Sequence, residues 1–146
     1  MKLAEALMKR KDLLREINRI REEISNTAVV REDVAISINL EQKVEKLAEK
    51  EKELMELNIK IDKANKEFLL EEINKIRVLD ASISFWKNVR DTVLRAKDQL
   101  AWASKEARYR INLDLDQINN ILETLELERR NIDRYLQKQN WQIDID

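Results

Sequence analysis

Two aspartates in the stretch RYRINLDLDQIN, residues 108–119, are the clearest candidates for chemistry in this chain. Asp114 and Asp116 stand two apart among alternating apolar and polar residues, so on an extended segment both carboxylates would face the same side. Such a pair can bind Mg²⁺ or Ca²⁺, but these ions need further oxygen ligands from a shaped loop, and the chain has no glycine. Asp114 and Gln117 also have the spacing of a helix-capping box. We therefore interpret Asp114 as a helix start and predict no metal ligand.

A second candidate is the basic and aromatic stretch at residues 84–110. Basic side chains interleaved with aromatic rings can bind phosphates and stack on bases. Arg90, Arg95 and Arg108 would then be the anion or nucleic-acid contacts. However, the net charge of the chain is −1, and Trp86 falls on the apolar stripe of its helix, where we expect it in the core. Nucleic-acid binding is therefore an alternative function rather than the leading one.

The residues that most often carry catalysis are absent from the sequence. The chain contains no histidine and no cysteine, which excludes histidine-based triads, thiolate chemistry and cysteine-ligated metals. The serines have no histidine to act as their base. We therefore expect a protein that is not an enzyme, with no catalytic residue, cofactor or small-molecule substrate.

The composition predicts an all-α fold. The 146 residues include no glycine and no proline, on which tight turns and sheet corners depend, whereas good helix formers are abundant. We expect a single domain over residues 1–146, built as an antiparallel bundle of long helices or coiled-coil hairpins with four main helices. Residues 1–31 carry 8 basic and 5 acidic side chains and residues 32–72 carry 7 and 12, which suits packing between the first two helices.

Helical spacing of apolar residues places the individual helices. The first is predicted from Leu3 to Ile24, and the third from about Glu71 to Ser104 after a turn near residues 65–70. Asn39, with Gln42 at the third helical position, should cap the second helix. That helix has a heptad pattern predicting a packing seam of Leu40, Val44, Leu47, Glu51, Leu54, Asn58, Ile61 and Asn65.

Two segments between the helices have the alternating pattern of short strands. These strand-like segments lie near residues 29–38 and 109–114. In an up-down-up-down bundle both would lie at the same end, where they could pair. The last residues, NWQIDID, alternate in the same way.

The chain also resembles the septicolysin family, small bacterial proteins without an established activity. The resemblance extends over nearly the whole chain and rests on the stretches MKLAEALMKRKDL, NTAVV, NIKIDKAN, LDASISFWKNVRD and ERRNIDRYLQKQNWQIDID. It departs at residues 66–78, where relatives have a glycine-containing loop. The resemblance implies an oligomeric long-helix bundle, and the family name suggests a membrane-active cytolysin. No functional residues come with it.

The leading functional hypothesis is a structural or interaction protein. Apolar residues off the helical seams should mark contacts in a homo-oligomer, a dimer or a higher assembly. The expected contacts are Val29, Val30, Ile36, Trp102 and Trp141. The opening residues lack the pattern of a secretory signal and no window has the ~20 apolar residues of a membrane span, so we expect a cytoplasmic protein without a membrane partner.

Overall fold

Four long helices make up most of the chain. The computed structural model describes residues 1–102 and 110–146, with the side chains of residues 1–99 and 110–146. The helices are α1 Leu3–Thr27, α2 Leu40–Phe68, α3 Leu70–Trp102 and α4 Leu115–Asn140. The predicted all-α class with four main helices, packed in pairs, is confirmed. The chain divides into two compact units, one formed by Met1–Phe68 with Gln137–Asp146 and the other by Leu69–Leu136. That they behave as one domain stays a prediction.

The first unit is an antiparallel hairpin of α1 and α2, joined by the C-terminal tail. Lys9 near the start of α1 lies beside Glu53 of α2, whereas Glu23 near the end of α1 lies beside Lys43. The apolar residues buried in this unit come from both helices and from the tail: Leu3, Ala4, Ala6, Leu13, Ile17, Ile20, Leu57, Ile61, Ala64 and Ile145.

The α2 side of this core differs from the predicted seam. Ile61 is buried as expected, but Val44 is exposed, and Leu57, outside the predicted seam, is buried. The side of α2 that packs inward is therefore rotated toward Leu57 and Ala64. On this side α2 faces the C-terminal tail, since Leu57 and Ile145 line the same crevice. A heptad pattern within α2 could not reveal that partner.

The second unit packs α3 against α4, also antiparallel. Asp80 is paired with Arg129, and Lys87, seven residues later in α3, lies 3.9 Å from Glu126, an earlier residue of α4. The buried cluster between the two helices consists of Ile83, Val93, Ile118 and Leu122, with Trp86, Val89, Ile111, Leu115 and Leu125 packed against it. Trp86 contributes to the core, as its position on the apolar stripe predicted.

The predicted helix starts are confirmed by their hydrogen bonds. The Oδ1 atom of Asn39 accepts the backbone N–H of Gln42 at 3.2 Å, which caps α2. At the start of α4, the backbone N–H of Asp114 donates to Oε1 of Gln117, also at 3.2 Å. The predicted turn between the second and third helices falls on Leu69, the one residue between α2 and α3.

The predicted strand-like segments are wrong for the residues that the structure describes. Residues 29–38 form irregular backbone with a turn from Arg31 to Val34, residues 110–114 are irregular as well, and residue 109 lies outside the described part. Alternation alone does not make a strand, because the backbone N–H and C=O groups need a neighbouring strand. Such pairing occurs instead between the two chain ends, where Lys2 and Asp144 form an isolated antiparallel bridge.

Candidate interaction surfaces

Three of the expected oligomer contacts lie on the connector between α1 and α2. Val29 is 89% exposed, and Val30 and Ile36 are also on the surface. Trp141, just after α4, is about half exposed. Trp102 is the last residue of α3, and its side chain lies outside the described part. The four residues whose side chains are described are therefore all open to a partner.

The basic stretch of α3 does not gather its arginines on one side of the helix. Arg90 is half-buried and Arg95 is exposed, and five residues of separation place them about 140° apart around the axis. The guanidinium of Arg95 donates to the backbone oxygen of Asp91 at 3.4 Å. Arg108 lies outside the described residues. A bound phosphate needs cations on one surface, which Arg90 and Arg95 do not share.

The aromatic rings of this stretch divide between core and surface. Phe85 is 58% exposed, whereas Trp86 packs onto the buried cluster of the second unit. Their ring centroids are 5.3 Å apart at 77°, an edge-to-face arrangement. Of the two rings of this stretch that the structure describes, Phe85 is therefore the exposed one, and it is held against its neighbour.

An apolar surface that the sequence pattern did not identify runs along α2. We call it the α2 outer face and define it by Val44, Ala48, Met55 and Ile59. Val44, Met55 and Ile59 are each between 50% and 58% exposed, and Ala48 is exposed as well. At 3.6 residues per turn these four positions fall within about 60° of one another. They form two apolar pairs, Val44 with Ala48 and Met55 with Ile59, on the side of α2 that α1 leaves open.

Ionisable residues border the α2 outer face along one edge, which we call the outer flank. All are exposed: Glu41, Glu45, Glu49, Lys52, Glu56, Lys60, Lys63 and Lys66. None of them forms an ion pair within 4.0 Å with another residue of the described part. The outer flank therefore has its charges available to a partner.

By contrast, the charges of α2 that face α1 are paired. Lys43 lies 2.8 Å from Glu23, and Lys46 and Lys50 lie 3.8 and 3.6 Å from Glu16. Arg21 of α1 donates to Glu51 at 3.2 Å. Among these contacts, Arg21 with Glu51 has the predicted sign, whereas Glu16 and Glu23 are acidic residues of α1 that pair with lysines of α2. Together they hold the hairpin in register.

The Glu23–Lys43 contact is the closest of these ion pairs. The Oε2 atom of Glu23 is shielded from water and lies 2.8 Å from Nζ of Lys43, although the angle is poor for a hydrogen bond. The nearby Lys43 ammonium lowers the pKa of Glu23, with Arg19 and Lys46 adding to the effect and partial desolvation opposing it. Glu23 is therefore held in its charged form.

A second surface of the first unit lies where the chain ends meet. The backbone N–H of Leu3 donates to Ile143 at 2.8 Å and that of Ile145 donates to Met1 at 2.9 Å. Nζ of Lys2 lies 2.8 Å from Oδ2 of Asp144, a hydrogen bond that lowers the pKa of Asp144. We call this arrangement the terminal clasp.

The tail of the terminal clasp and the C-terminal half of α2 enclose an open groove of about 710 Å³. Its walls carry charges of both signs beside apolar residues: Glu56, Ile59, Lys60, Lys63, Ala64, Glu67, Phe68, Asp144, Ile145 and Asp146. Charges of both signs that do not converge on one point give no selectivity for one small ligand.

No metal centre is formed by the side chains that are described. Within residues 1–99 and 110–146, no three acidic residues come together in a way that could hold an ion. Asp114 instead begins α4, in keeping with the capping interpretation. Along the same ranges, none of the helices is apolar over enough length to cross a bilayer.

Comparison with known proteins places the chain in a family but gives no activity. No protein with a curated description matches it. A crystal structure of a functionally unknown conserved protein from Corynebacterium diphtheriae is similar, with a TM-score of 0.87 and 21% identity, over 100% of this chain and 99% of that one. At this identity the similarity concerns the fold alone. Residues 10–145 match DUF6847, a family of unknown function, and the chain belongs to that family.

Proposed function

We propose that this chain is a non-enzymatic interaction protein that assembles with copies of itself into a cytoplasmic homo-oligomer of helical hairpins. The observation that carries the proposal is the α2 outer face, where Val44, Met55 and Ile59 are each at least half exposed along one helix. Contiguous exposed apolar residues commonly mark protein interfaces, because water disfavours them.

The expected contacts outside α2 extend this surface. A stable interface needs about 800 Å² per partner and roughly 20–30 residues, more than four side chains provide. Val29, Val30, Ile36 and Trp141 are exposed in the same unit and would supply further contact area. Trp102 of α3, which belongs to the other unit, stays an expected contact of the oligomer. Two-fold symmetry is the common solution for such assemblies, so a dimer or a dihedral oligomer is expected.

The nucleic-acid alternative rests on Arg90, Arg95 and Arg108, and the different directions of Arg90 and Arg95 make it the weaker proposal. The cytolysin alternative depends on the name septicolysin, which neither DUF6847 nor the similar solved structure carries. The non-enzymatic part of the proposal rests on the sequence, which lacks the histidine and cysteine of the common catalytic sites.

Size-exclusion chromatography with light scattering tests the proposal. Protein purified without nuclease, at micromolar concentration, should elute with a mass that is a multiple of 17.4 kDa and with protein-like absorbance at 260 and 280 nm. A mass of one chain would overturn the assembly. Excess absorbance at 260 nm that disappears at high salt would favour the nucleic-acid alternative, because phosphate contacts weaken steeply with salt.

A further inference from the structure

The charges of the outer flank follow an order along α2. The N-terminal part carries Glu41, Glu45 and Glu49, and the C-terminal part carries Lys60, Lys63 and Lys66, with Lys52 and Glu56 between them. Asp62 and Glu67 are the acidic exceptions in the C-terminal part, whose net charge stays positive. One helix edge is therefore acidic at its beginning and basic at its end.

This order is not explained by the stability of α2 alone. Acidic residues stabilise a helix N-terminus, but that effect fades beyond the first turn, and Glu45 and Glu49 lie farther along. Glu41, Glu45 and Glu49 also succeed one another at a spacing of four, where like charges cost about 0.2–0.5 kcal/mol per pair. A partner that brings positive charge to these positions would offset that cost.

An antiparallel copy of the same helix is such a partner. In an antiparallel pair, the two-fold axis is perpendicular to both helices. An edge of one helix then faces the same edge of the second helix, and the residues along the two edges run in opposite directions. The opposed pairs would be Glu41 with Lys66, Glu45 with Lys63, Glu49 with Lys60, and Lys52 with Glu56. Each of these four pairs has opposite charges, and each midpoint lies between residues 53 and 55, whereas Glu67 would lie beside Glu41 as a like-charged exception. In a parallel pair the outer flank of one helix would instead meet the opposite edge of the second helix.

We propose that two copies pair through their α2 outer faces, antiparallel, about a two-fold axis that passes near residue 54. The inference rests on the proposed homo-oligomer and names its partner surface. Met55 lies at the centre of the contact beside Met55 of the second copy, and Ala48 lies near Ile59 of the second copy. The apolar stripe supplies the burial, while the outer flank fixes direction and register.

Single cysteines test the direction directly, because the chain contains none of its own. Met55→Cys should form a disulfide-linked dimer under mild oxidation, since the two copies of residue 55 are neighbours. Val44→Cys is the matched control, equally exposed on the same stripe. In an antiparallel pair its two copies lie about 30 Å apart along the axis, far beyond the ~7 Å limit for a disulfide.

The outcomes separate this inference from the proposed function. Cross-linking of Met55→Cys but not of Val44→Cys supports the antiparallel pair. Cross-linking of both, or of Val44→Cys alone, overturns it. An oligomer by light scattering in which neither variant cross-links overturns the α2 pairing and leaves the proposed function standing. A monomer overturns both.

Charge reversal tests the register by a second route. Glu45→Lys places two like-charged contacts in each dimer, and we expect the dimer Kd to rise roughly 10-fold at low salt, about 1.4 kcal/mol. Glu45→Lys combined with Lys63→Glu restores the opposite charges and should return the Kd to that of the unaltered chain. An unchanged Kd in the single variant, or no recovery in the double variant, contradicts the proposed register. Sedimentation measures each Kd, and circular dichroism shows that the helices are intact.

Discussion

Replacing Ile145 by alanine should loosen the terminal clasp and destabilise the first unit. Ile145 is the second-last residue of the sequence, yet it is only 7% exposed, and its backbone N–H donates to Met1. Beside it on the same tail, the ion pair of Asp144 with Lys2 is open to solvent. The clasp thus contains one buried apolar side chain and one exposed ion pair, whose contributions can be compared.

The expected loss for Ile145→Ala follows from the buried carbon atoms. Three side-chain carbons are removed at about 0.8 kcal/mol each, and the space they leave adds a further cost. Because a tail can move to close part of that space, we expect a loss of about 2–4 kcal/mol in the free energy of unfolding. The backbone hydrogen bond stays available, so this figure does not include it.

Urea unfolding followed by circular dichroism measures the effect, with Asp144→Ala as the matched variant. The loss for Asp144→Ala should be the smaller one, because exposed ion pairs contribute little in water. Hydrogen exchange at the Leu3 amide, which donates to Ile143, reports on the clasp itself and should speed up in Ile145→Ala. An unchanged unfolding midpoint in Ile145→Ala, or an equal loss in Asp144→Ala, would refute the reasoning.

Three other substitutions test the second unit, the start of α2 and the effect of pH. Ile118→Ala should lower the free energy of unfolding by about 2–5 kcal/mol because Ile118 is fully buried. Leu113→Ala, at a partly exposed position, should lower it by less than about 1 kcal/mol. Equal losses in urea unfolding would contradict the assigned core. Asn39→Ala should cost about 1 kcal/mol and Asn39→Asp almost nothing, since aspartate also caps helices; matching losses would argue against the cap. The pKa of Glu23 is lowered in the folded chain, so its stabilising effect is present above the unfolded pKa of about 4.3 and is lost as pH falls through the folded pKa. Between about pH 5 and pH 3, the free energy of unfolding should therefore fall less in Glu23→Gln than in the unaltered chain. An equal fall in the two proteins would disprove the role of Lys43.

The helices and their starts were predictable because their signals are local. A chain without glycine or proline and rich in helix formers has few alternatives to helix, and the side chains of Asn39 and Gln117 accept from backbone groups within three residues. Basic residues in α1 and acidic residues in α2 also indicated their pairing, which the contacts of Lys9 with Glu53 and of Arg21 with Glu51 confirm.

The interaction surface was only partly predictable, because exposure depends on which side of a helix its neighbours cover. Val29, Val30, Ile36 and Trp141 lie outside the helix seams and are exposed as expected. The α2 outer face was missed, since the heptad pattern placed Val44 in the packing seam.

The amino-acid sequence alone indicates that this chain is helical, where three of its helices begin, and that it contains no histidine and no cysteine. Packing between distant segments sets which backbone groups pair and which apolar residues are buried. Residues 29–38 have a strand-like pattern but form no strand, whereas the tail beside Ile145 forms an isolated bridge between Asp144 and Lys2. Strand pairing and the side of a helix that packs inward both depend on groups distant in sequence. A local pattern therefore specifies a helix or strand but not which of its surfaces stays exposed.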